Sequence, residues 1–196
     1  MIQFRSLAVG VAGLAAGVLT LTACTGQQAG SSGDNTNIVH GTGELIAVAE
    51  ADRQELPDIE GETLEGDRLR LADYRGEVLV LNVWGSWCAP CRAEMPHLVE
   101  VANDTADQGV QFVGLNVQDR SKDQANAFEE RFDVPYPSLY DADGQLLLDF
   151  PEGTLSPQGI PSTLIVDREG RVAVRALKPL AEQELRDALD PIIAEG

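Results

Sequence analysis

The chain has 196 residues, with 14 Lys and Arg against 32 Asp and Glu, a formal charge of −18. A surface this acidic repels nucleic acid and anionic headgroups and argues against both as electrostatic partners; its plain role is a solubilising coat. A hydrophobic fraction of 43% supplies one ordinary core plus an appendage.

Residues 1–23 carry no acid and one base, Arg5, followed from Leu7 by a Leu/Ala/Val/Gly run that ends in small residues. This pattern is an export signal rather than fold material. Its end, Leu21-Thr22-Ala23-Cys24, resembles the lipobox of bacterial lipoproteins. The resemblance implies acylation of Cys24 after cleavage and a lipid anchor without a spanning helix; the alternative is an uncleaved anchor helix with an incidental cysteine. Either way the domain lies outside the cytoplasm.

The stretch from Thr25 to about Gly43 is rich in Gly, Ser, Thr, Asn and Gln and reads as a flexible tether. Residues 44–54, ELIAVAEADRQ, fit either a short helix or an arm lying on the domain. The organisation expected is therefore signal 1–23, lipidated Cys and tether 24–53, and a folded domain 54–196. Alternation through Leu69 and Leu71 with Gly66 in a turn predicts an N-terminal β-hairpin followed by a short turn-like segment. EVLVLNVWG (77–85) and VQFVGLNV (110–117) are near-continuous apolar runs, as in strands buried on both faces. A helix begins at the first cysteine of WCAPC and continues through Leu98, Val101 and Ala102, with a kink expected at Pro96. A second helix spans 121–132, with Ser121 as N-cap and Ala125, Phe128 and Phe132 on one face. YPSLYDADGQLLLDF predicts a strand and hairpin turning at Asp143-Gly144. STLIVDREGRVAVRAL (162–177) predicts a strand, a turn and an antiparallel partner, and an amphipathic helix closes the chain. Strands and helices alternating in this way make an α/β sandwich around one mixed sheet.

Cys88 and Cys91 enclose Ala89 and Pro90. Tetrahedral zinc needs about four ligands, and the only histidines are His40, in the tether, and His97, which reads as a helix-surface residue. A structural bridge closing so small a loop would constrain the unfolded chain little. Redox chemistry fits the placement best. A thiolate is the reactive form, and a cysteine in the first turn of a helix gains stabilisation for it from the helix N-terminus. Cys88 is then the exposed attacking sulfur, and Cys91, one turn on, resolves the mixed disulfide. Pro90 is tolerated early in a helix. Trp84, on a buried strand, reads as core.

Trp87-Cys88-Ala89-Pro90-Cys91 at a strand-to-helix junction, with Pro96 downstream, resembles the thioredoxin superfamily over about residues 54–196. QGIPSTLIVD places Ile160-Pro161 before a buried strand, like that family's cis-proline loop, which lies beside the disulfide and pairs with client backbone. The resemblance implies a thioredoxin-like three-layer sandwich with a mixed central sheet, an N-terminal β-hairpin, and a helix-containing insertion before the cis-Pro strand. Within the superfamily, LNVWGSWCAPCRAEMP and the stretch Asp119–Phe150 are similar to membrane-tethered TlpA/ResA-type thiol–disulfide oxidoreductases. It also implies a client surface of Trp87, Ala89, Pro90, Ile160 and Pro161, and no cofactor or metal. Where thioredoxin has a buried Asp, this chain has Asn82. Glu94, at i+3 from Cys91 on one helix face, is then the candidate for proton transfer and thiol tuning, the alternative being a solvated surface Glu.

The function so implied is extracytoplasmic reduction of client disulfides, with electrons from a membrane thiol donor of the CcdA/DsbD kind and apocytochrome c as one client. The chain has SPQGIPS in place of the GVYGAPE segment of the CcmG/DsbE branch, which leaves the client open. A disulfide-donating oxidase, a peroxiredoxin-like peroxidase and a redox-inert binding lipoprotein are the alternatives. Against the peroxidase stands Gly85, where a peroxidatic cysteine has Thr three residues ahead.

Overall fold

The structure is a computed structural model describing residues 45–151, 154–155 and 159–195. The signal, Cys24 and most of the tether lie outside the described residues. The central sheet has six strands in the order β1-β8-β7-β4-β5-β6. These are β1 (Leu45–Ala47), β4 (Val78–Trp84), β5 (Val110–Val117), β6 (Ser138–Asp141), β7 (Ser162–Val166) and β8 (Val172–Ala176). β4 pairs parallel with β5 and antiparallel with β7, so the sheet is mixed. Strands β2 (Glu60–Glu62) and β3 (Arg68–Arg70) form the expected separate hairpin, which turns at Gly66 with φ +98°. The hairpin docks on the sheet's β6 edge through Leu64 N–H to Ser138 C=O, 2.9 Å.

β4 is the centre of the molecule because all seven of its side chains are buried. Val78, Val80 and Trp84 face one core, while Leu79, Leu81 and Val83 face the other, the period-2 arrangement of a strand covered on both sides. The first core lies under α1 (Ala89–Thr105), α2 (Lys122–Phe132) and α3 (Glu182–Ile193). α1 contributes Cys91, Met95, Leu98, Val101 and Ala102, the spacing of one helical stripe. The helix runs on through the exposed Pro96 to Thr105. Trp84 stacks on Phe128 of α2 at 4.6 Å and donates Nε1–H to Ser138 Oγ at 3.2 Å, which places it in the core as the sequence suggests. The second core is covered by Ile59, Leu69 and Leu71 from the hairpin region and by Leu147, Phe150 and Leu155. The third layer of the sandwich is thus built from hairpin and 3-10 turns.

One open reading is decided and one element differs from expectation. Residues 45–54 form the arm, with a single 3-10 turn at Glu50–Asp52: β1 pairs antiparallel with β8, Leu45 opposite Ala176 and Ala47 opposite Val174, so the sheet begins upstream of residue 54. The predicted hairpin after Asp143-Gly144 is a strand followed by a 3-10 turn, Leu146–Asp149. The reason is Asp141, whose carboxylate accepts the N–H groups of Gln145 and Leu146 at 2.8 and 3.0 Å. It holds the chain in a turn where an antiparallel partner would have to straighten.

Candidate active site

The cysteines stand where the central strand β4 ends and α1 begins. Cys88 is the N-cap of α1, with extended backbone (φ −82°, ψ 111°) and Pro90 in the first turn. Cys88 and Cys91 are joined as a disulfide. Cys88 Sγ accepts the Cys91 N–H at 3.1 Å and lies 3.9 Å from the Ile160 carbonyl oxygen. This N-cap geometry corrects one expectation. Cys88 is only 4% exposed and Cys91 1%, the first sulfur lying between the helix end, its disulfide partner and the Ile160 carbonyl. The exposed neighbours are Trp87, 53% accessible, with Ala89 and Pro90. The Ile160–Pro161 bond is cis, with Pro161 buried and Ile160 half-buried.

Behind the disulfide lies a buried polar group. Glu94, one turn beyond Cys91, is 1% exposed, which rules out the solvated-surface alternative. One carboxylate oxygen accepts the Leu180 N–H at 3.0 Å and the other the Asn82 Nδ2–H at 3.4 Å. Burial pushes its pKa up to about 7, against the pull of the Leu180 and Asn82 donors. Asn82 also donates to Thr163 Oγ1 at 3.0 Å. Tyr136 closes this region, its hydroxyl donating to Met95 Sδ at 3.3 Å. Burial first, then the nearby Glu94 and Glu129 charges, hold Tyr136 far above the usual tyrosine range, so it stays neutral. His97 is half-buried on α1.

Sequence reasoning missed the group that fixes the approach to Cys88. Asp119, 2% exposed, accepts the Ser86 N–H at 2.9 Å, the Ser86 hydroxyl, and Asn116 Nδ2–H at 2.6 Å. Its own carbonyl accepts the Tyr140 hydroxyl at 3.1 Å. Arg92 reaches back to the Ser86 carbonyl, and Trp87 Nε1–H donates to the Val117 carbonyl at 3.3 Å. β5 delivers Asp119 to this place by turning at Gln118 in left-handed conformation, φ 57°. Ordinary side chains rarely adopt that conformation, and it costs about 1 kcal/mol or more. The available signal was Asn116 and Asp119 at the end of an otherwise apolar run, since polar groups in a buried strand need partners. Among the described residues, no three His, Cys, Asp or Glu side chains converge as a metal site.

A disulfide at a helix N-cap beside a cis-proline loop, over a mixed sheet, defines a thioredoxin-like thiol–disulfide oxidoreductase. Comparison with known proteins agrees. The model of the AhpC/TSA family matches residues 53–175. The chain is 34% identical over 136 residues to thiol-disulfide oxidoreductase ResA of Geobacillus thermodenitrificans, covering 69% of this chain and 75% of the relative. It is 36% identical over 125 residues to thiol:disulfide interchange protein HelX of Rhodobacter capsulatus, 63% of this chain and 65% of HelX. Among solved structures, a secreted thiol-disulfide isomerase from Corynebacterium glutamicum superposes with TM-score 0.71 at 34% identity, over 76% of this chain and 92% of that one. The chain belongs to the AhpC/TSA family, as a thiol–disulfide oxidoreductase of the ResA type.

Proposed function

We propose that this enzyme reduces client disulfides outside the cytoplasm, held to the membrane by acylated Cys24. A membrane thiol protein of the CcdA/DsbD kind supplies its electrons, and apocytochrome c is one client. The observation that carries the catalytic reading is the Cys88 sulfur at the N-cap, accepting the Cys91 N–H. In the reduced protein that contact and the helix end stabilise a Cys88 thiolate. The thiolate attacks a client sulfur, and the client's other sulfur leaves as thiolate. Cys91 then attacks Cys88 Sγ, forming the intramolecular disulfide and releasing the second client sulfur. Two electrons pass to the client, whose two sulfurs leave as thiolates and take up one proton passed on from Cys91 by way of Glu94 and one from solvent. Glu94, with its pKa near 7, takes the Cys91 proton as that sulfur becomes a nucleophile.

Trp87, Ala89, Pro90 and Ile160 form the client-facing surface, and the buried Pro161 holds the Ile160 carbonyl toward it. An ionised Glu94 behind the pair disfavours thiolate and so makes the dithiol the stronger reductant, which supports the reducing direction. Against a peroxidase, Gly85 stands where a peroxidatic cysteine has threonine, and a Cβ there would lie 2.7 Å from Trp87 Nε1, so that Trp87 would have to move. The export reading rests on residues 1–24. It is supported by likeness to a protein described as secreted.

Replacing Cys91 by Ala in the full chain removes the resolving sulfur and leaves clients bound to Cys88. Mass spectrometry of those adducts in a producing cell is expected to identify apocytochrome c and a membrane thiol protein. Recovery of disulfide-generating partners alone would overturn the reducing direction.

A further inference from the structure

Asn82 sits in β4, 1% exposed, between Glu94 of α1 and Thr163 of β7, which stands opposite it in the sheet. Its amide nitrogen faces both partners, 3.4 Å from Glu94 Oε2 and 3.0 Å from Thr163 Oγ1. Its carbonyl oxygen, Oδ1, is buried with no hydrogen-bond partner. Buried polar atoms are nearly always satisfied, so an orphan acceptor beside a proton-exchanging carboxyl calls for a reason.

The donor and acceptor inventory supplies one. An ionised carboxylate only accepts, so the amide must turn its two N–H groups outward, one to Glu94 and one to the Thr163 oxygen. A protonated Glu94 carries an O–H donor, and the Thr163 hydroxyl can also donate. Oδ1 has two lone pairs, which match those two hydroxyl donors. Half a turn about the terminal bond of Asn82 exchanges one arrangement for the other, and that torsion is broad and nearly two-fold. The observed orientation is the one suited to ionised Glu94.

We propose that the Asn82 side-chain amide turns over each time Glu94 gains or loses its proton, making Asn82 a positioning residue that couples the proton behind Cys91 to the cis-proline strand. Protonation switches Thr163 from hydrogen-bond acceptor to donor. Thr163 lies two residues from Pro161, and its neighbour Ser162 donates Oγ–H to the Gly159 carbonyl. The strand beneath the client loop therefore senses whether the proton taken from Cys91 has left. This inference rests on the proton-transfer role given to Glu94 above.

The other groups around Glu94 are few. Leu180 N–H comes from the segment before α3, where Lys178 is paired with Glu184. Tyr136 comes from the segment before β6, with Glu129 of α2 acting on it in turn. Cys91 and His97 share α1, and Cys91 does not titrate while it is in the disulfide.

The test is isotope-edited NMR of the oxidised full chain, following the Glu94 carboxyl carbon and the Asn82 side-chain NH2 pair across neutral pH. The expected result is one shared midpoint, with NH2 contacts to Thr163 present on the alkaline side and lost on the acid side. In Glu94→Gln the Asn82 signals should be flat. A titrating Glu94 beside an unresponsive Asn82 overturns the amide switch alone. An Asn82 response that survives Glu94→Gln also overturns it, since the response then does not follow Glu94. A Glu94 that does not titrate near neutrality overturns its proton-transfer role and the switch together.

Discussion

Replacing Glu94 by Gln separates the charge of that side chain from its shape. In the fold the carboxyl is 1% exposed, and burial lifts its pKa from 4.5 to about 7 while Leu180 N–H and Asn82 pull partly back. Unfolding restores the ordinary value. Between the two values the native state therefore holds a proton that the unfolded chain has released. Stability from this group is full below pH 4.5, is lost as pH rises through about 7, and is flat beyond. At ~1.36 kcal/mol per pH unit, that interval amounts to about 3 kcal/mol of destabilisation carried by ionised Glu94 above neutrality. Gln keeps the shape and carries no charge to desolvate. Urea unfolding of the oxidised chain, whose cysteines do not titrate, should give closely similar stabilities below pH 4.5. Above pH 7 the variant should be more stable by about 3 kcal/mol. Background titration from the other acids cancels in the comparison. Stability curves that stay parallel across this range would refute the reasoning, because they would show an ionised Glu94 at no cost in the fold.

Asp119→Asn keeps size but turns an NH2 toward donors that Asp119 now accepts; it should cost about 1–3 kcal/mol in denaturant unfolding and lower the fluorescence anisotropy of Trp87. Wild-type values for both would remove Asp119 from the role of loop anchor. Gly85→Thr places a Cβ 2.7 Å from Trp87 Nε1 and 3.2 Å from the Val117 carbonyl oxygen, so Trp87 must move. The expected loss is about 1–3 kcal/mol, and a crystal structure with Trp87 unmoved would contradict it. Arg53 bridges Asp167 at 3.1 Å and Glu195 at 2.6 Å, its side chain 5% exposed. Arg53→Met leaves the buried Asp167 carboxylate to Arg171 alone and should cost about 3 kcal/mol in thermal unfolding. Glu195→Gln, at a side chain 40% exposed, should cost about 1 kcal/mol or less. Equal losses for the two variants would count against the buried pair.

The parts of this fold that could be read from sequence are those where one local signal decides. β4 and β5 are continuous apolar runs with glycine at or beyond their ends, and the helix after Cys88 follows from the cysteine spacing and the stripe through Leu98 and Val101. Where a long-range or side-chain partner decides, the sequence left the element open or pointed to the wrong one. β1 has three residues at a sheet edge, and its only reason to be extended is the distant β8. The turn at Leu146–Asp149 is set by the Asp141 carboxylate, which outweighs the β-propensity of the surrounding residues. At the site, the cysteines, Glu94 and the cis-proline position were legible from spacing and resemblance. The burial of Cys88 was not, because its sulfur is covered in part by the distant Ile160-Pro161 loop. Asp119 was missed because its partners, Ser86 and Asn116, come together only when β5 lies beside β4. The absence of hydrophobic alternation in these strands did carry the information that a polar residue there must have a buried partner.

A redox role requires that Cys88 and Cys91 open and close reversibly. Equilibrating the full chain against defined ratios of oxidised and reduced dithiothreitol, a couple reducing enough to reach a strongly reducing dithiol, then counting free thiols by mass after alkylation, tests this directly. The expected result is a single reversible two-electron transition in which both cysteines appear together and which Cys88→Ser abolishes. A pair that stays closed or open at every ratio, or that opens only on unfolding, would contradict the account and leave the disulfide a structural staple.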